Sequence, residues 1–307
     1  MRQQFGAHWL MSLGILKPGQ GKLLMKAVSD AKAEKASIFE IICGVLNLMP
    51  PEETADAIIA GGMEEVSMCR FFPSDGDCNP ILDNKLKNSS PSIIAVQDDF
   101  ATIRVLQDRG IVVNHYVGPS CFKIGHDYSR MREIDFINNA ISFYKELKDD
   151  FEELGVTPAL EYLRPSEDVG ALMGLDRVRR ICEADELGGL VKWHADRFHM
   201  QEREKDPATE LRRGGDLLSY FHAHGTNRGV AGSENLDGDP SATDYTDWND
   251  IRRALYYIGY IGPVVPEPFG QQIRDIAPEL GEGLPPSIEP NRYLRLTHAC
   301  FKKARMV

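Results

Sequence analysis

The chain has 307 residues, with 35 Lys and Arg against 46 Asp and Glu, for a formal net charge of −11. No Lys or Arg block supplies the basic face that phosphate neutralisation needs, so no nucleic-acid partner is expected. No apolar run approaches the roughly 18 residues that signal a membrane span, and no membrane partner is expected either.

In chain order, a first strand is expected over 5–10 and a helix over 21–35. A second strand over 36–43 leads to a helix over 51–60, opened by a Pro-Pro-Glu-Glu start signal. A third strand over 64–69 precedes a long helix over 92–109, announced by Ser89-Ser90-Pro91. A fourth strand is placed at 110–116. A very long helix over 128–154 follows, with Ile134, Ile137, Ile141, Phe143 and Leu147 at helical spacing. Four more short apolar runs occupy 156–160, 189–193, 217–221 and 262–266. Helices near 168–184, 207–213 and 248–259 separate them, and a last helix covers 289–305. Such alternation implies a parallel sheet. Eight units averaging about 38 residues suit a single α/β domain over 1–307: a (β/α)8 TIM barrel with its active site at the C-terminal ends of the strands. The segment 229–247, rich in Gly, Ser, Asp and Thr, reads as a solvated loop. Its Asp237-Gly238-Asp239 lacks the further ligands of a calcium loop.

The six cysteines form no C-x-x-C pair, and several lie in apolar contexts such as Ile41-Ile42-Cys43. That usage suits reduced, buried thiols. With no charged-then-apolar leader in view, the expected location is the cytoplasm.

At or just beyond the end of each of the last four strand-like runs lies a metal-ligating residue type: Glu161, Asp196, His222 and Glu267. A polar residue at the C-terminal end of a parallel strand points to the barrel mouth. Three carboxylates and one imidazole arriving there suit a five- or six-coordinate divalent ion, and the imidazole favours Mn2+ or Co2+ over Ca2+. His224 shares the strand face of His222 and is a weaker additional ligand candidate. His8, Trp9 and His115, at the ends of the first and fourth strands, are candidate pocket walls, while His194 lacks any motif.

Three segments carry a family resemblance. Leu160-Glu161-Tyr162-Leu163-Arg164-Pro165-Ser166-Glu167 resembles the segment of the ketohexose 3-epimerases in which a metal-binding Glu is followed six residues later by a substrate-contacting Glu. Asp196-Arg197-Phe198-His199-Met200 is similar to that family's Asp-Thr-Phe-His-Met. Phe221-His222-Ala223-His224-Gly225-Thr226-Asn227-Arg228 matches its His-to-Arg spacing, and Gly259-Tyr260 through Pro266-Glu267-Pro268-Phe269 is close to its Gly-Tyr-x-Gly-x-x-Val-x-Glu-Pro-Phe. The chain thus resembles the xylose-isomerase-like TIM-barrel superfamily. The departures are Leu-Arg-Pro-Ser-Glu for the family's Leu-Asn-Arg-Phe-Glu, Arg197 for Thr, and a long linker from Arg228 to Trp248. The resemblance implies that these positions lie beside the substrate.

The resemblance implies one divalent ion, Mn2+ with Co2+ or Mg2+ as substitutes, held by Glu161, Asp196, His222 and Glu267. It implies Glu167, His199 and Arg228 as substrate-binding residues, a small-molecule sugar as partner, and a homo-oligomer, dimer or tetramer. The implied activity is a sugar (ketose) epimerase or isomerase working by proton transfer through a metal-stabilised enediolate. Glu161 and Glu267 would be the catalytic pair, one on each face of the reacting carbon. The alternative is a lyase or dehydratase acting on a keto-sugar, keto-inositol or keto-glycoside.

Overall fold

The computed structural model describes residues 3–8, 20–43, 49–72, 91–121, 132–163, 174–204, 206–239, 242–267 and 289–307. Eight parallel strands close into a barrel in sequence order: β1 (Gln4–His8), β2 (Ile38–Ile42), β3 (Glu65–Phe72), β4 (Val112–Cys121), β5 (Thr157–Glu161), β6 (Lys192–Asp196), β7 (Leu218–His222) and β8 (Pro263–Val265). Closure is made by β1 on β8, through Gln4 opposite Pro263 and Phe5 opposite Val264. The expected TIM barrel is therefore present.

Among the described residues the helices are α1 (Gly21–Ala33), α2 (Pro51–Gly61), α3 (Pro91–Asp108), α4 (Glu133–Glu146), α5 (Lys148–Leu154), α6 (Leu175–Cys182), α7 (Arg197–Glu204), α8 (Pro207–Gly214), α9 (Trp248–Tyr257) and α10 (Pro290–Lys303). Their ends follow local chemistry. Asp206 accepts from Ala208 N–H at 3.1 Å ahead of Pro207, and Glu289 accepts from Asn291 and Arg292 N–H at 3.0 and 2.7 Å ahead of Pro290. The helix expected over 128–154 is two helices, with Leu147 leaving helical geometry between them. Its apolar spacing is preserved across the break, which is why periodicity alone joins the two.

Alternation along the strands builds two cores. Outward side chains pack against the helices; Phe100, Tyr116 and Phe151, for example, meet with ring centroids 4.8–6.2 Å apart. Inward side chains fill the barrel with a separate cluster of Ile38, Cys69, Val117, Ala159, Tyr220 and Val265. A Cβ at Gly6 would collide with Val265 and Ile38, so β1 must be bare there. Outside this inner core, Arg70 and Asp99 pair while buried between β3 and α3. Arg70 Nε donates to Asp99 at 2.8 Å, and Tyr116 OH donates to the same carboxylate at 2.7 Å.

Two loop readings need correction. The fourth strand runs on to Cys121, continuing its pairing with β3 through Phe71–Ser120 and Phe72–Cys121. His115 is therefore low in the barrel, opposite Thr157 at the start of β5, not at the mouth. The segment expected as a solvated loop is built around Asp244, with Val230, Ala231, Ser233 and Ala242 buried. Asp244 accepts hydrogen bonds from Thr226, Gly232 and Thr246 N–H at 2.7–3.0 Å and from the Trp248 indole at 2.6 Å. Asp237, in place of a calcium role, pairs with Arg292 at 2.6 Å.

Candidate metal centre

Glu161, Asp196 and His222 are the last residues of β5, β6 and β7, and Glu267 lies two residues beyond β8. The barrel's stagger decides their neighbours. Glu161 is level with His194, two residues below Asp196, whereas Asp196 is level with His222, so the β5 end sits lower than the β6 and β7 ends. All four are buried, none more than 5% exposed. His222 Nδ1 stands 3.6 Å from Asp196 Oδ2 and 3.5 Å from Glu267 Oε2. Donor atoms lie within 4.8 Å of one another in three overlapping groups: Glu161, His194 and His222; Glu161, Asp196 and His199; and Asp196, His224 and Glu267. A buried set of hard carboxylates with imidazole donors fits a divalent cation.

The helix α7 begins directly after Asp196. That carboxylate accepts from Phe198 N–H at 2.6 Å and His199 N–H at 3.3 Å, capping the helix and fixing its own direction. Burial pushes its carboxyl upward, but Arg228, His224 and His199 together hold it well below the usual carboxylate range. His224 bridges Asp196 (3.2 Å) and the Gly225 carbonyl (3.1 Å), and burial lowers its imidazole. His222 behaves oppositely. Burial alone would lower it, yet Glu40 and Asp196 lift it to about 10.

Arg228 closes a 3-10 turn over Thr226–Arg228 and has φ +58°, a left-handed conformation uncommon for a side-chain-bearing residue. Gly225 N–H to Gly229 O at 2.7 Å pins the turn, and a Cβ on Gly225 would meet the Gly229 and Val230 carbonyls. So held, the guanidinium lies 4.7 Å over the Phe198 ring, contacts Glu267 Oε2 closely, and reaches Asp196 Oδ2 at 3.4 Å and His199 Nε2 at 3.2 Å. His199 in turn is 3.6 Å from Glu161 Oε1. The structure thus gathers six of the seven residues singled out in the sequence; Glu167 lies outside the described residues, as does Trp9. Arg197, also buried, reaches Thr226 Oγ1 at 3.4 Å and so ties β6 to the Asp244-centred loop.

Two residues escaped the sequence reading. His194 is fully buried, 3.8 Å from Glu161 Oε2 and edge-on to the His222 ring at 4.1 Å between centroids, and neither of its ring nitrogens has a hydrogen-bond partner among the described residues. Its signal was its place two residues before Asp196, on the same strand face. Glu40, buried in the middle of β2, meets His222 Nε2 with both carboxylate oxygens, at 3.1 and 3.0 Å. Its signal was a lone acid inside the apolar run Ile38-Phe39-Glu40-Ile41-Ile42.

Residues 103–290, more than half of the chain, match the xylose isomerase-like TIM barrel family. The chain belongs to that family. Among its relatives, the D-psicose 3-epimerase of Enterocloster bolteae is 31% identical over 159 residues, 47% of each chain. The L-ribulose 3-epimerase of a Methylomonas species is 27% identical over 137 residues, 45% of this chain and 44% of the relative. Each alignment therefore spans about half the length of the relative. A solved L-ribulose 3-epimerase superposes with a TM-score of 0.75 at 17% identity, covering 99% of this chain and 95% of that one. A D-psicose 3-epimerase solved in the presence of D-fructose gives 0.74 at 17%, covering 99% and 100%. At that identity the superpositions establish the family's fold and nothing finer.

Proposed function

We propose that this chain is a divalent-metal-dependent sugar epimerase acting on a ketose. The observation that carries the reading is the buried clustering at the ends of β5–β8, where His222 stands within 3.6 Å of Asp196 and Glu267 and Glu161 falls into overlapping donor groups with His222 and with Asp196, with Arg228 and His199 beside them. The matching relatives are sugar 3-epimerases, which favours epimerisation over the lyase alternative.

Glu161, Asp196, His222 and Glu267 would hold the ion, and Mn2+ is the choice that three carboxylates and one imidazole favour. When bound, the ion would polarise the ketose carbonyl and a neighbouring hydroxyl and so stabilise the enediolate charge. One glutamate, Glu161 or Glu267, removes the proton from the carbon next to the carbonyl, and the other returns a proton to the opposite face. Glu161 leaves β5 and Glu267 follows β8, on either side of the Asp196–His222 pair, an arrangement that supports a two-faced transfer. Arg228, His199 and Glu167 orient substrate oxygens, and Arg228 is available for this because its strained turn fixes the guanidinium beforehand. The described members of the set, Glu161, Asp196, His199, His222, Arg228 and Glu267, are all buried, which would limit the access of water to the reacting carbon.

The test is direct. Purified protein, stripped with chelator and reloaded with Mn2+, Co2+ or Mg2+, is incubated with a panel of ketoses in D2O. Deuterium entering the carbon adjacent to the carbonyl, together with the epimeric ketose and only in metal-loaded samples, is expected. Loss of water or of an aglycone in place of the epimer would assign a lyase. We further infer a cytoplasmic protein from the four cysteines that are free among the described residues, and a homo-oligomer, which mass photometry would check.

A further inference from the structure

We infer that Glu40 is a positioning residue for the metal centre, gripping the Nε2 edge of His222 so that Nδ1 is presented to Asp196 and Glu267. This rests on the reading of His222 as a ligand, and it adds a residue from the opposite wall of the barrel.

Glu40 is completely buried in the middle of a five-residue strand whose other members are Ile38, Phe39, Ile41 and Ile42. An ionised carboxylate in such a place is strongly disfavoured unless charged or hydrogen-bonding groups meet it. Strand propensity gives no reason for it, since β-branched and aromatic residues would serve β2 better.

Glu40 is met by the Tyr220 hydroxyl and the Cys69 thiol and by the imidazole of a proposed ligand 182 positions away, to whose Nε2 both of its oxygens turn at 3.1 and 3.0 Å. A carboxylate accepts hydrogen bonds only, so an ionised Glu40 assigns the proton to Nε2. In a histidine ligand, the hydrogen bond made by one ring nitrogen decides which nitrogen binds metal. Here the other nitrogen, Nδ1, is the one standing 3.6 Å from Asp196 Oδ2 and 3.5 Å from Glu267 Oε2. The ring plane is restrained as well, with His194 perpendicular to it at 4.1 Å and Tyr220 at 5.7 Å between centroids. Tyr220 is itself held by Ser67, with their hydroxyls 2.6 Å apart. Glu40 therefore sets the rotation of a ring whose plane the walls already restrict.

The experiment measures Mn2+ binding to the metal-free full chain, by calorimetry and by loss of the free-ion EPR signal, in Glu40→Leu, Glu40→Gln, Thr54→Ala and His222→Ala. Glu40→Leu should weaken Mn2+ binding by about 10–100-fold, the range for removing an outer partner of a ligating histidine. Glu40→Gln should fall between Glu40→Leu and the parent, because its amide oxygen still accepts from Nε2–H. Thr54→Ala, which removes a buried hydroxyl on α2, outside the barrel interior, should bind as the parent does. Visible absorption of the Co2+-loaded Glu40→Gln protein should shift, since ligand geometry relaxes while the fold, checked by circular dichroism, is kept. Parent-like Mn2+ affinity in folded Glu40→Leu, or in Glu40→Gln if the leucine variant does not fold, overturns the inference. Parent-like affinity in His222→Ala would instead overturn the metal reading on which it rests.

Discussion

The two halves of the barrel use their inward-facing strand positions differently. Strands β5 to β8 end in Glu161, Asp196 and His222, with Glu267 just beyond, and the residues that follow, His199 and Arg228, fold back onto them. Strands β1 to β4 place Gly6, Glu40, Ser67 and His115 lower in the same interior. Their charged contacts are structural: the buried Arg70–Asp99–Tyr116 cluster outside the barrel and the Glu40–His222 contact across it. A parallel barrel lets one half present groups to a substrate while the other supplies the rigid frame that aims them. Most of the family match, residues 103–290, falls on the presenting half.

That division can be broken most forcefully in the frame. Arg70→Ala should cost about 3–5 kcal/mol of stability, because Asp99 is left as an uncompensated buried charge. Urea unfolding measures this, and the Mn2+ affinity of the folded variant should stay at the parent value. A variant that kept its stability and lost metal would reverse the assignment of roles.

On the presenting side, Arg228→Ala should lower turnover by about 100-fold, the scale of a misplaced substrate, while Mn2+ stays bound. Steady-state kinetics beside a metal titration separates the two. Loss of metal in that variant would make Arg228 a support for Glu267 and Asp196, which its guanidinium already touches.

A smaller effect is expected from pH. Because His222 is lifted to about 10 by Glu40 and Asp196, it carries an extra proton in the metal-free protein at neutral pH. Metal must displace that proton, so Mn2+ affinity should rise by about tenfold per pH unit between roughly 7 and 9. The sign for stability is the reverse. A raised folded-state pKa stabilises the metal-free protein below the unfolded histidine value, and that contribution is lost as pH climbs toward about 10. A flat Mn2+ affinity across this range would show that His222 is not protonated in the metal-free state.

How much of this could be read from the sequence follows the same division. The presenting residues were legible because each ends a short apolar run, and a strand end at a barrel mouth has a fixed direction. The frame was not. Glu40 looks like an interruption in β2 until His222, 182 positions later, is set beside it. His194 gains meaning only from the stagger that puts it level with Glu161. At 110–116 the expected strand puts His115 at its end, whereas pairing with Phe71 and Phe72 carries β4 on to Cys121 and leaves His115 low in the barrel. The 229–247 segment has the composition of a solvated loop, and the burial it gains comes from Asp244 collecting backbone N–H groups, which no local periodicity announces.

The central claim is that Glu161 and Glu267 transfer protons on opposite faces of one carbon. The measurement that tests it is NMR in D2O of a turned-over ketose with Mn2+-loaded Glu161→Gln and Glu267→Gln, metal content confirmed by elemental analysis. Each variant should lose net epimerisation, and one of them should still exchange the substrate proton with solvent, because one half-reaction survives. Full activity in either variant at full metal occupancy would contradict the account.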